Sequence, residues 1–202
     1  RGEIEVQRNG GAVYFVSSTF SSSYPTIAPA TSHQGGQDGV ISVLNRDLTQ
    51  LLASTYVGTS GNEALYSIAL ADKQGLNFPS PSFKFTPFYI AGSIGPSTDS
   101  SIAMGWLNPV YDYSIPTSSD QDALLLAGDL GPSMIGIGNY ITMNAIDVQA
   151  DSGYNQHFFV ETHNETDTAS VVTVVGQHKG GLVADSLTWG QPGSAQYFQR
   201  YK

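Results

Sequence analysis

The chain has 202 residues, enough for one sizeable core or two small ones, and its 40% hydrophobic content excludes an unfolded, solvated polymer. Charged residues make up only 12%, and the net charge of −9 repels phosphate backbones and anionic lipid surfaces, so nucleic-acid binding is not expected. There is no cysteine, which rules out disulfides, thiolate zinc sites and iron–sulfur ligation.

The first predicted strand, Gly2 to Val6, alternates Glu3 and Glu5 with Ile4 and Val6 and reads as half exposed. Asn9-Gly10-Gly11 is a turn signal, and Ala12 to Thr19 follows as a strand. There Val13 and Phe15 occupy one face and Tyr14 and Val16 the other, which predicts burial on both sides. Ser21 to Gln37, rich in Ser, Thr, Gly and Pro, is a surface loop.

Gln37 to Asp72 carries the clearest pattern and predicts three short strands folding back on one another. The runs are Asp38 to Leu44, Leu51 to Val57 and Tyr66 to Asp72. Asn45-Arg46-Asp47 and Gly58-Thr59-Ser60-Gly61-Asn62 supply the turns between them. In the third run Tyr66, Ile68 and Leu70 are expected on one face, with Ser67 and Ala69 on the other.

These segments, with Asp38 to Leu44, Ser54 to Gly61 and Ile68 to Asp72 as the matching runs, resemble the bacterial and archaeal β-propeller repeat of the SBBP type. The sequence departs from that repeat at Val57 and Thr59. The resemblance implies a secreted, blade-like all-β architecture and no particular chemistry, because fold alone does not define function.

Beyond the Pro-rich segment 73–87, Phe88 to Ser93 (FYIAGS) repeats VYFVSS. After the loop of residues 95–119, Gln121-Asp122-Ala123 and the Leu124-Leu125-Leu126 run echo Gln37-Asp38-Gly39 and the strand after it. Asn139 to Asp151 ends in the Ala-Asp that also closes the first unit, and a third start falls at Phe158-Phe159-Val160. Gly180 to Trp189 is a degenerate strand, and Ala195 to Tyr201 a strand-like tail. No segment carries a helical stripe. The prediction is a single all-β domain of antiparallel blade-like or sandwich meanders with long Pro-, Ser- and Gly-rich loops. Its units are expected at residues 12–87 and 88–157, with a partial third at 158–202.

His157, Glu161 and His163 share one strand parity, but residues two apart on a face lie about 7 Å from each other, so one ion could not be reached without a bend. A polar solvent face opposite Phe158 and Val160 is the expectation, with no metal site. Asp120 with Asp122, and Asp147 with Asp151, could serve as paired carboxylates or Ca²⁺ ligands, but their turn and strand-edge contexts suit backbone capping. No nucleophile elbow and no phosphate-binding glycine motif is present, so no catalytic residue and no cofactor is expected. Asn164-Glu165-Thr166 is a glycosylation sequon in an expected exposed turn. Trp106, Tyr111 and Tyr113 cluster in a loop, where they would either stack on a ligand or an interface or fold over the core.

No apolar run reaches the roughly 18–20 residues needed for a membrane-spanning helix. Arg1-Gly2-Glu3 has the look of a processed start. Together these features predict an extracellular or cell-surface protein without enzymatic activity, a structural subunit of a filament, sheath or adhesive layer. It would associate with itself through sheet edges, with Ile4, Val6, Tyr197 and Phe198 in the strands available for exchange. The alternative is a monomeric module that binds surface glycans or another ligand; a polysaccharide-active enzyme ranks third.

Overall fold

The structure, a computed structural model, describes residues 2–7, 11–27, 30–71, 86–99, 102–104, 121–132, 139–148, 154–166, 169–179 and 197–201. These contain no helix; every regular element is a strand, and the strand pairs are antiparallel, so the protein is all β. The strands are β1 (Glu3–Val6), β2 (Val13–Thr19), β3 (Asp38–Leu44), β4 (Leu51–Gly58), β5 (Glu63–Leu70) and β6 (Thr86–Ile94). They continue with β7 (Ala103–Met104), β8 (Asp122–Pro132), β9 (Asn139–Val148), β10 (Tyr154–Thr166), β11 (Ala169–Lys179) and β12 (Tyr197–Tyr201).

Three sheets result. The first has the order β1-β2-β3-β4-β7, the second β5-β6-β8-β9 and the third β10-β11-β12. Most neighbours along the chain pair, the economical way to join antiparallel strands; the exception is β7, which returns between β6 and β8 to pair with β4 of the first sheet. The first sheet gives way to the second after β4, and the third sheet begins at β10. Within the segment from Gln37 to Asp72, β3 and β4 fold back on each other as expected, but β5 hydrogen-bonds to β6, not to β4. The segment's third strand leaves to begin the second sheet.

The sheets stack face to face. β5 lies across β1, β2 and β3, and β10 lies across β5, β6 and β8. Tyr14, Val16, Ile41 and Val43 of the first sheet meet Leu65, Ile68, Phe88, Ile90 and Leu126 of the second in one core. On the other side of the second sheet, Ala69, Ala91 and Leu125 meet Val160, Val172 and Val174. The second sheet is thus buried on both faces, which is why Leu124, Leu125 and Leu126 stand consecutively without a polar residue between them. β2 was expected to share that environment, but only its Tyr14–Val16 face is buried. Val13 and Phe15 are half exposed, and among the described residues no sheet lies against that outer side.

Two β-bulges set these faces. Leu65 pairs with Gly92 and Ser67 with Ala91, leaving Tyr66 as the extra residue. The insertion shifts parity, so Leu65 joins Ile68 in the first core, while Tyr66 stacks on Phe158 of β10 with ring centroids 5.7 Å apart. The expected grouping of Tyr66 with Ile68 and Leu70 is thereby overturned. The same device recurs in β10, where His157 pairs with Gly176 and Phe159 with Val175 around the extra Phe158. His157 consequently lies on the buried side with Val160 and is fully buried, whereas Phe159 is 44% exposed. The expected solvent face running from His157 through Glu161 does not form.

β1 is half exposed, and it is the apolar face that lies outward. Ile4 and Val6 are 61% and 54% exposed, while Glu3 and Glu5 turn toward the second sheet. Glu3 is occupied there: its Oε2 accepts a hydrogen bond from the Ile68 N–H at 2.8 Å. That amide faces away from β6 on the outer strand of its sheet, and the carboxylate satisfies a donor that strand pairing leaves over.

Candidate functional site: a buried acidic junction between two sheets

Three loops converge where β3 begins, β4 ends and β5 begins, and they carry the most concentrated polar chemistry among the described residues. Asp38 opens β3 and Glu63 opens β5; both are completely buried. The connection Thr59–Asn62 joins the first sheet to the second, and residues 95–99 leave β6 alongside it.

Glu63 is held by its own loop. Its Oε2 accepts from the Thr59 N–H at 2.8 Å and its Oε1 from the Thr59 hydroxyl at 2.6 Å. The Thr59 oxygen in turn accepts from the Gly61 N–H at 3.0 Å, so the turn is tied internally. Its neighbours are fastened to the adjoining loops. The Glu63 N–H donates to the Gln37 carbonyl at 2.6 Å, and Gly36 N–H to the Gly61 carbonyl at 3.2 Å. Asn62 accepts from Gln37 N–H through its side-chain oxygen at 2.9 Å and from Gly95 N–H through its carbonyl at 2.7 Å. Ser60 N–H donates to Asp99, and the Ser60 and Ser97 hydroxyls lie 2.9 Å apart.

Such close approach depends on glycine. A methyl group at Gly35 would stand 2.7 Å from the Ser60 and Thr59 carbonyl oxygens, and one at Gly61 would stand 2.5 Å from the Pro96 oxygen. Gly58 has the same role against Asp38, whose Oδ1 would lie 2.6 Å from an added Cβ. The other Asp38 oxygen accepts from Gln34 N–H at 2.6 Å.

The electrostatics follow from burial. Desolvation raises the Glu63 carboxyl from the ordinary 4.5 to about 7 against the two Thr59 hydrogen bonds, and the negative charges of Asp38 and Asp99 raise it further. Desolvation also raises Asp38, opposed by the amides of Gln34 and Gly35 and by the charge of His33. Asp99 is exposed, and the Ser60 N–H holds it below its usual value. The cluster can therefore keep a proton at Glu63 near neutral pH. Most of its polar atoms join loops, whereas Asp38 Oδ1 is buried without a hydrogen-bond partner.

A second polar junction lies between the second and third sheets. Gln156 Nε2 donates to Gln121 Oε1 at 2.6 Å and to the Tyr66 hydroxyl at 3.2 Å, and that hydroxyl lies 3.0 Å from Ser93 Oγ. Asp122 and His157, which follow Gln121 and Gln156 in the chain, are fully buried, and burial drives His157 down to about 3.

Most residues singled out from sequence lie apart from the acidic junction. Asp122 opens β8 as Asp38 opens β3, and Asp147 pairs in register with Leu125, whereas Asp120 and Asp151 fall outside the described residues. The bulge separates His157 from Glu161, which is exposed, and His163 pairs in register with Val171. Among the described residues no group of three or more His, Cys, Asp or Glu side chains is arranged to hold a metal ion. Asn164 sits in β10 opposite Ser170, at the end of the β10–β11 hairpin. Trp106, Tyr111 and Tyr113 lie outside the described residues, as does the strand expected over Gly180 to Trp189. Ile4 and Val6 pair within the chain with Phe15 and Val13, and Tyr197 and Phe198 with Gly176 and Val175. The terminal strands are thus taken up in the protein's own sheets.

Glu63, Thr59 and Asp99 were missed. The available signal was a lone glutamate directly after the Gly-Thr-Ser-Gly-Asn turn, ahead of Ala64 and Leu65, where a strand was about to enter the core. No protein-family model, no curated protein and no solved structure matches this chain. Among the described residues no helix is long and apolar enough to cross a membrane.

Proposed function

We propose that the protein is a non-catalytic structural module of the cell exterior, a building unit whose work is done by stacked sheets and that associates with further copies of itself. The observation carrying this reading is the incomplete stack. The middle sheet is buried on both faces, while the two end sheets each leave apolar side chains in solvent: Ile4 and Val6 on the first, Phe159 on the third. A stack with an open face at each end has the form of a unit to be extended. The polar side chains of the junctions support the same reading, because they bind loop to loop and sheet to sheet. The exterior location rests on the low charge and on the likeness of residues 37–72 to a secreted propeller repeat, which also favours blade-like stacking.

Light scattering across a concentration series, with electron microscopy of the intact chain, tests the proposal. Concentration-dependent growth to dimers or longer assemblies is expected. A monomer at every concentration would refute it, and saturable binding of an oligosaccharide by that monomer would replace it with the glycan-binding alternative.

A further inference from the structure

The two sheet-to-sheet interfaces inside the chain are repeats of each other, and the repeat defines what each end face is for. Ile68 of β5 and Val160 of β10 occupy equivalent positions: each stands two residues beyond a bulge, at Tyr66 and at Phe158. Ile68 pairs with Ile90 and Val160 with Val174, and in both cases the pair packs against the preceding sheet. In both cases the incoming amide is met by the first strand of that preceding sheet. Ile68 N–H donates to Glu3, and Val160 N–H donates to Ser67 Oγ at 3.1 Å. Glu3 precedes Ile4 just as Ser67 precedes Ile68 and Phe159 precedes Val160.

This correspondence places Ile4 and its register partner Phe15 where Ile68–Ile90 and Val160–Val174 stand in the other sheets. Those are the side chains that pack against the preceding sheet, and before the first sheet the described chain has none. The segment from Ser21 to Ile27 covers only the β3–β4 half of this outer face, through Tyr24 to Ser42, Pro25 to Ser54 and Ser21 to Tyr56. No other described segment covers the β1–β2 half, where Ile4 and Val6 are exposed and Val13 and Phe15 half exposed. At the other end, Phe159 and Val175 form the side of the third sheet that corresponds to Ser67–Ala91 of the second, the side that receives the next sheet. Edge pairing is the weaker route, because β1 is only four residues long and turns two glutamates inward, features that protect an edge.

We infer that a second copy of this chain sets its β1–β2 face, centred on Ile4, onto the Phe159–Val175 face of the first, continuing head to tail the stacking already present twice within the chain. The inference rests on the self-assembling reading above and narrows it to two different faces. Such an association is heterologous: it closes into a ring if the rotation per copy permits and otherwise grows as a filament.

Two single variants test it, Ile4→Glu and Phe159→Glu. Both side chains are exposed in the free chain, and circular dichroism with thermal melting verifies that each variant folds; Val6→Glu serves as a second head variant. Each variant alone is expected to run as a monomer by light scattering where the parent associates. An equimolar mixture of the two should form a one-to-one dimer, since one supplies an intact Phe159 face and the other an intact Ile4 face. If Phe159→Glu alone still dimerises, or the mixture stays monomeric, the head-to-tail inference is wrong. If the parent associates and neither variant changes that, the faces are wrong while self-assembly stands. A parent that never associates removes both.

Discussion

Replacing Glu63 by Gln isolates the proton at the sheet junction. The carboxyl is completely buried and bonded twice to Thr59, with Asp38 and Asp99 as its charged neighbours. Its affinity for a proton rises from the ordinary 4.5 to about 7 in the folded protein, chiefly through desolvation. A folded-state value above the unfolded one means that folding takes up a proton. The associated stability is therefore fully present below 4.5 and is lost as pH rises through about 7. Each unit corresponds to about 1.4 kcal/mol, so the shift amounts to about 3 kcal/mol between the two limits.

Glutamine mimics the protonated acid. Its oxygen can accept from the Thr59 amide while its NH₂ donates to the Thr59 hydroxyl, and it cannot ionise. Urea denaturation of parent and variant at pH 5, 6, 7 and 8 provides the comparison. Other carboxyls titrate in both proteins, so the informative quantity is the difference between the two stabilities. The variant should match the parent near pH 5 and gain on it progressively, by about 3 kcal/mol once Glu63 is fully ionised in the parent. Asp38 loses a charged neighbour in the variant, which reinforces the trend. Parallel stability curves across this range would show that Glu63 ionises without cost, and the account of the junction would fall.

Gly58→Ala should lower the urea midpoint by the equivalent of about 1–3 kcal/mol, because the new methyl would meet the Asp38 carboxyl at 2.6 Å. Leu125→Ala, between the second and third sheets, should cost about 2–5 kcal/mol in the same assay, as expected where close-packed sheets cannot collapse around the cavity. Leu48→Gly should raise stability by up to about 1 kcal/mol: Leu48 is exposed and holds a positive φ of 57° in the turn that Asn45 closes through Thr49 and Gln50. His157, driven to about 3, favours folding above its ordinary 6.5 and loses that contribution as pH falls toward 3; His157→Leu should flatten the acid limb of the parent's melting-temperature profile between pH 6.5 and 4.

Fold class was legible in the sequence because period-two alternation survives in most strands, and Asp38 and Asp122, alike in the sequence, each open a strand, β3 and β8. Facing was not. Tyr66, Ile68 and Leu70 alternate without interruption, and nothing local marks Tyr66 as a bulge: no glycine, no proline, no break in β propensity. At the bulge Tyr66 meets Phe158 of the third sheet in a tilted ring contact, a partner 92 positions away that local sequence does not reveal. The polarity of β1 was hidden for the same reason, since Glu3 turns inward to meet an amide 65 positions away. The acidic junction was half visible: Asp38 stood out as part of a repeat, whereas Glu63 looked like one more charged residue beside a turn.

The recurrence of the bulge ties these misses together. In β5 it carries Leu65 into the first core, and in β10 it carries His157 into the corresponding place. An apolar residue and an ionisable one thus occupy equivalent positions in two interfaces of similar construction. Leucine there contributes burial alone, whereas histidine loses hydration of its charged form and must remain neutral, so it makes the second interface sensitive to acid where the first is not. Glu63 makes the first interface sensitive in the opposite direction, toward alkaline pH. The two junctions respond to pH in opposite senses over overlapping spans. Glu63 loses its contribution from 4.5 through about 7 and His157 from 6.5 toward about 3, so their effects partly offset each other between 4.5 and 6.5. A double variant, Glu63→Gln with His157→Leu, should therefore broaden the pH interval of maximal melting temperature on both sides, each flank moving as in the corresponding single variant. If either flank of the double variant differs from that of its single variant, the junctions are coupled through the middle sheet and do not act independently.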